Sequence, residues 1–186
     1  MKKGRGFTLI ELLVVTAIIV VVSSVMLVNN NRFGGIVQLE NLAYDIALTI
    51  RQAQIYGISV QRYGSSDYSS GYGMHFAVGD PTHYELFADV NKDGFFDVSE
   101  NISPSPYTIR SGFKIDHLCV PEGANAADCT QVAEVDIVFK RPEADAYIRV
   151  NGTSTIQPSA RIALISPRGD VMSVLVGANG QISVQR

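Results

Sequence analysis

One carboxylate lies inside an apolar run long enough to cross a membrane, and that charge limits what the chain can become. Residues 7–28 carry a single charged side chain, Glu11. As a helix these 22 residues extend about 33 Å, enough to span a bilayer core. A charged side chain inside such a segment costs roughly 2.5–3.5 kcal/mol on insertion scales, so Glu11 needs a partner that lipid does not supply. Ahead of the run stands a short basic stretch, Met1-Lys2-Lys3-Gly4-Arg5-Gly6. Basic residues on that flank predict a cytoplasmic N-terminus and an exported C-terminal domain. A secretory signal would instead be cut after its apolar core at small residues. Ser23-Ser24 is the nearest imitation and lacks the usual spacing.

Gly6, Phe7, Thr8, Leu9, Ile10, Glu11 and Leu12, in that order, resemble the processing site of type IV prepilins and type II secretion pseudopilins. The resemblance implies a cut between Gly6 and Phe7 by a prepilin peptidase, N-methylation of Phe7, and Glu11 as the fifth mature residue. It also implies an assembly role for Glu11. In a filament, the terminal ammonium of one helix would lie in an apolar bundle and take the Glu11 of a neighbour as counter-charge. Attraction in low dielectric is offset by desolvation, so such a pair specifies register more than it stabilises. The domain organisation expected on this basis is a leader at 1–6, a transmembrane and assembly helix at 7–28, an amphipathic helix half at 29–57, and an exported β-rich domain at 58–186.

The chain has 186 residues, which suits one membrane helix plus a single globular domain. Removing Lys2, Lys3 and Arg5 leaves 12 basic residues against 18 acidic ones, a net charge of −6. Phosphate contacts dominate nucleic-acid affinity, so an acidic domain is a poor binder of that partner. Cys119 and Cys129 flank a polar segment without strand or helix periodicity. Export favours a disulfide between them, which would stabilise the fold by roughly 2–3 kcal/mol. Zinc spacing and a Cys-x-x-Cys redox pair are both missing from the sequence.

Beyond the membrane the helix is expected to continue. Ile36, Leu39, Ala43, Ile46, Ile50 and Ala53 recur at steps of three and four, with Leu42 widening the stripe. Glu40, Asp45, Arg51 and Gln52 fall on the opposite side. Asn29-Asn30-Asn31-Arg32-Phe33-Gly34-Gly35 is a poor helix interior, and each glycine costs about 1 kcal/mol relative to alanine, so a kink or local melting is expected there. Gly57 is the expected helix end. Strands are predicted at 71–78, 83–89, 107–118, 132–141, 147–150, 161–166, 171–176 and 181–185, from their β-branched and aromatic residues and the turn residues between them. Asn179-Gly180 favours a hairpin between the last two, and Ser65–Ser70 reads as a polar turn. The fold class expected is α+β, a long N-terminal helix packed on an antiparallel β domain, pilin-like. This element order and closing hairpin resemble the GspH/FimT group of minor pilins and pseudopilins.

A second chemical signal lies at 89–100. Asp89, Asn91, Asp93, the Phe95 carbonyl, Asp97 and Glu100 occupy positions one, three, five, seven, nine and twelve of a calcium loop, with Gly94 at six. Calcium needs six to eight hard oxygens on a tight turn, and four carboxylates repel one another without a cation. The competing reading is an acidic hairpin of Asx turns, because a strand rather than a helix precedes the loop. Ca2+ is thus an expected cofactor, with that alternative open.

Other signals carry less. His75, His83 and His117 are scattered and read as surface or edge-strand residues, and no catalytic constellation is visible. Arg168-Gly169-Asp170 reads as a turn, and Asn151-Gly152-Thr153 as a glycosylation sequon by spelling only. Tyr63, Tyr68 and Tyr72 surround a glycine- and serine-rich loop. The expected function is a structural subunit, a minor pseudopilin of a type II secretion pseudopilus. The alternative is a minor pilin of a type IV pilus with a role in DNA uptake or adhesion, for which Arg161, Arg168 and Arg186 are the few basic candidates. The partners implied by the resemblance are other pilin or pseudopilin subunits, the prepilin peptidase and an inner-membrane assembly platform. The implied location is a single pass in the inner (cytoplasmic) membrane with the domain exported, assembled into a periplasmic or extracellular filament.

Overall fold

The computed structural model describes residues 6–59, 62–63, 70–102, 104–122 and 129–186, and only the backbone of residues 28–33. Its first element is α1, Leu9–Ile58. Contacts divide the chain into two compact units, Met1–Val37 and Gln38–Arg186. The local melting expected at 29–35 is not seen: helical backbone continues through Gly34 and Gly35. Nothing lies within 4 Å of a Cβ added at either glycine, so no neighbour forces a kink.

In the second unit the helix buries the expected stripe. Leu39, Ala43, Ile46, Ile50 and Ala53 are at most 1 % exposed, while Ile36, in the first unit, is half-buried. The helix runs one residue past Gly57. Gly57 serves close approach instead of ending the helix, since a Cβ there would meet the Phe139 carbonyl oxygen at 2.3 Å.

Eleven strands follow among the described residues: β1 Gly71–Ala77, β2 His83–Asp89, β3 Tyr107–Thr108, β4 Lys114–Val120, β5 Thr130–Val132, β6 Glu134–Phe139, β7 Ala146–Val150, β8 Thr153–Gln157, β9 Ser159–Ile165, β10 Val171–Gly177 and β11 Ile182–Gln185. They form two sheets, ordered β3-β2-β1-β6-β7-β8 and β11-β10-β9-β4-β5, and every pairing is antiparallel. The α+β architecture therefore matches the sequence expectation. The run at 107–118 divides into β3 and β4 around a turn in which Gly112 has φ +93°. β5 and β8 were not anticipated, and most of the polar turn at Ser65–Ser70, with Tyr68, lies outside the described residues.

Alternation on the strands sorts side chains between two faces. Met74 and Phe76 of β1, Leu86 of β2 and Ile137 of β6 join Ile115 of β4, Ile162 of β9 and Val174 of β10 in one core with the helix stripe. Gln54 fastens this arrangement at one end: its Nε2 donates to the carbonyls of Ala144 at 2.9 Å and Gly180 at 3.0 Å. Arg51 in turn donates to the Gln54 side-chain oxygen. Cys119 and Cys129 are bonded, with Cα atoms 5.3 Å apart. The bridge ties β4 to the chain entering β5, at the edge of the five-stranded sheet.

Candidate functional site

The acidic loop begins where β2 ends and folds over the outer face of the six-stranded sheet. Cross-strand register places Glu85, His75, Asp136 and Arg149 in one row across β2, β1, β6 and β7. Phe87 and Gly73 are partners in the next row, and a Cβ on Gly73 would strike the Phe87 ring at 2.7 Å. Glycine is used there to let that ring lie flat on the sheet. The loop then covers both rows. The Phe96 ring stacks on His75 at 4.7 Å and meets Phe87 edge-on at 5.5 Å. Arg149 donates to the Gly94 carbonyl at 3.3 Å and lies over the Phe95 ring.

The row is a charge ladder. His75 Nδ1 and Asp136 Oδ1 are 2.7 Å apart, with both side chains largely buried. Burial disfavours the imidazolium, but the hydrogen bond and charge of Asp136, with Glu85 and Glu134, outweigh it and raise the His75 pKa above 6.5. Burial pushes the Glu85 carboxyl up as well. His75 therefore sits on a central strand, and His117 lies on β4, between β9 and β5. The expectation of a surface or edge position fails for His75, which is paired on both sides, while β5 pairs with β4 only from Leu118 onward, so His117 has a strand neighbour on the β9 side alone. His117 Nδ1 lies 2.7 Å from Asp116, and His83 at the start of β2 pairs with Asp80.

Within the loop, Asp89 Oδ1 accepts from Gly94 N at 3.2 Å. Asn91 Oδ1 accepts from Asp93 N, and Asp93 Oδ1 from Phe95 N. The Asn91 Nδ2 donates to Asp93 at 2.9 Å and to Asp97 at 3.0 Å. Glu100 closes the turn: its Oε1 accepts from Val90 N at 2.9 Å and Asn91 N at 3.2 Å. Lys92 and Gly94 take φ +63° and +78°, which wind the backbone tightly enough for these bonds. Burial raises the pKa of both Asp89 and Glu100. Among the described residues, no three His, Cys, Asp or Glu side chains are grouped closely enough to hold a metal as they stand. Side-chain bonds join Asn91 to Asp93 and Asp97, while Asp89 and Glu100 bond to the loop's own backbone amides. Phe96, His75 and Arg149, which seat the loop, had no signal in the sequence.

The remaining candidates separate from this site. Arg161 Nε donates to the Glu122 carbonyl at 2.8 Å, and Arg168 occupies the β9–β10 turn, closed by Ser166 N to the Asp170 carbonyl at 2.9 Å. Tyr72 is buried against Tyr56, and the Tyr63 hydroxyl donates to the Ser99 carbonyl. Asn151-Gly152 is a two-residue hairpin turn with φ +49° and +67°, a signal present in the sequence and read only as a sequon. Such a pair of positive angles is the reason Asn-Gly is favoured there.

The N-terminal unit presents a different surface. Thr8 caps α1, its Oγ1 accepting from Glu11 N at 3.3 Å. Thr8-x-x-Glu11 thus forms half of a capping box, and Glu11 stands in the first turn, where the helix dipole favours a carboxylate. Phe7 is 84 % exposed, and Leu9–Leu27, 19 residues long enough and apolar enough to cross a membrane, has no buried residue. Gly6 is exposed ahead of it, and the rest of the leader lies outside the described residues.

Residues 1–27 match the family model described as the prokaryotic N-terminal methylation motif. Comparison with curated proteins and with solved structures finds no match. The motif implies processing by a prepilin peptidase and assembly with other pilin subunits, and the single apolar helix fits a membrane anchor. The chain carries a prepilin-type methylation motif on an apolar N-terminal helix, an arrangement consistent with a type IV pilin-like protein.

Proposed function

We propose that this chain is a non-catalytic structural subunit, a minor pseudopilin of the GspH/FimT type that polymerises through α1 into a type II secretion pseudopilus. The carrying observation is the methylation motif together with a helix segment, Leu9–Leu27, that has no buried residue. Bare apolar surface of that extent demands either lipid or protein around it, and a pilin subunit meets both in turn. A second observation supports assembly. In the domain unit, Tyr44, Leu48 and Ile55 are more than half exposed on α1, at steps of four and seven that align them on one helix face. Sequence reading had assigned the side away from the core to polar residues, so this apolar strip was missed.

A minor pilin of a type IV pilus, with adhesion or DNA uptake as its task, shares the same helix and is the second reading. The test replaces the native chain by Leu48→Glu or Glu11→Ala in the cell. Wild-type membrane insertion with loss of the chain from the filament fraction, and retention of normally secreted proteins, is the expected result. Unimpaired secretion with loss of surface fibres would favour the pilus. Normal incorporation of both variants would refute the assembly role of α1.

A further inference from the structure

We propose that the loop at 89–100 is a binding site for a hard divalent cation of calcium's size, with Glu100 as its closing ligand. Six oxygen donors, from Asp89, Asn91, Asp93, the Phe95 carbonyl, Asp97 and Glu100, fall at the required positions. Spacing alone would describe any acidic turn, and Glu100 supplies the independent observation. Its side chain is 5 % exposed. One oxygen is held by the Val90 and Asn91 amides, which turns the carboxylate toward the loop. Its other oxygen, Oε2, is buried and has no hydrogen-bond partner. An unpartnered buried carboxylate oxygen is costly, and a cation in the loop would satisfy it.

The way the loop closes itself shows where positive charge is wanted. Asn91 Nδ2 lies between the carboxylates of Asp93 and Asp97, donating to both. The amide hydrogens thus neutralise in part what a cation would neutralise fully. On binding, the Asn91 amide turns to present its oxygen, and Asp93 and Asp97 exchange a hydrogen bond for a metal bond. The neck of the loop is fixed independently of the cation. Phe87 pairs with Asn101 across an isolated β-bridge, and Ile102 N donates to the Leu86 carbonyl at 3.0 Å. Asp89 and Glu100, the first and last ligands, are each two residues or fewer from that neck. Calcium accommodates six to eight oxygens in irregular geometry, whereas magnesium demands a near-ideal octahedron and keeps its water. A loop of this length, with a backbone carbonyl near its middle and a carboxylate at each end, suits the former.

A cation bound here would also hold the roof of the loop. Phe95 and Phe96, flanked by ligands on both sides, rest on Arg149, His75 and Phe87, so ordering the loop locks that contact on the sheet.

The test uses the full-length protein in detergent, titrated with Ca2+ by calorimetry and melted in Ca2+, in Mg2+ and in chelator. Extracellular sites of this kind bind with Kd of about 10⁻⁴–10⁻³ M. At about a hundredfold excess over Kd, calcium is expected to raise Tm by roughly 5–10 °C, with little response to Mg2+. Glu100→Gln keeps an oxygen for the two amides and is expected to bind about tenfold more weakly or worse. Asp97→Asn, at an exposed position, leaves folding intact in chelator and should weaken binding in the same direction. An unchanged wild-type Tm with no binding heat would overturn the site. Equal shifts in Mg2+, or wild-type affinity in both variants, would reduce it to diffuse attraction by an acidic surface and overturn it equally.

Discussion

A Cβ added at Gly57 would lie 2.3 Å from the Phe139 carbonyl oxygen and 2.7 Å from its carbon. Backbone cannot move aside as a flexible side chain can, so α1 must shift off β6. Gly57→Ala is therefore expected to destabilise the domain by about 1–3 kcal/mol, the cost of overpacking, despite alanine's better helix propensity. Thermal melting of the full chain checks this, and an unchanged or raised Tm would show that the helix end has slack. His75 offers a second test at the same scale. Its folded pKa lies above the ordinary 6.5, so its contribution to stability is complete below that value and is lost as pH rises through the folded one. The half-buried Glu85 carboxyl, also raised, works in the same sense from its own lower starting point. Tm should accordingly fall as pH rises above about 6.5, and His75→Gln should flatten that slope. A profile identical in the variant would mean that the Asp136 pair does not hold the proton.

Elements differ in how plainly their residues announce them. The helix stripe from Leu39 to Ala53 was legible, because a period of three and four needs no knowledge of what covers it. Seven strands, β1, β2, β6, β7, β9, β10 and β11, were legible by β-branched and aromatic content, and β3 and β4 as one undivided run. β8 was not: it is Thr-Ser-Thr-Ile-Gln, almost wholly exposed, and exists through pairing with β7 at the sheet edge. β5 has three residues beside the disulfide, too few to show a period. The acidic loop was legible as a spacing of oxygen donors. Its seat was not, since it depends on the pairing of His75 with Asp136, 61 positions apart, and on an aromatic roof folding back over that pair. The Cys119–Cys129 bond was anticipated and is present. Replacing both cysteines by serine is expected to cost roughly 2–3 kcal/mol, read as a Tm decrease of roughly 5–10 °C. An unchanged Tm would mean that β4, β5 and β9 hold that sheet edge without the bridge.

The chain combines a domain with its own core and an apolar helix segment in which no described residue is buried. Leu9–Leu27 is fully exposed, and the strip of Tyr44, Leu48 and Ile55 adds apolar surface on the domain's own part of α1. The apolar segment at 9–27 is the surface that calls for lipid or protein around it. The methylation motif at 1–27 connects these surfaces to a processing event that precedes assembly. The most direct test of that connection is the intact mass and N-terminal sequence of the protein recovered from its native envelope. A chain beginning at N-methylated Phe7 is the expected result. A chain cut near Ser24, or one retaining Met1-Lys2-Lys3-Gly4-Arg5-Gly6, would contradict it and remove the basis for proposing Glu11 as an assembly residue.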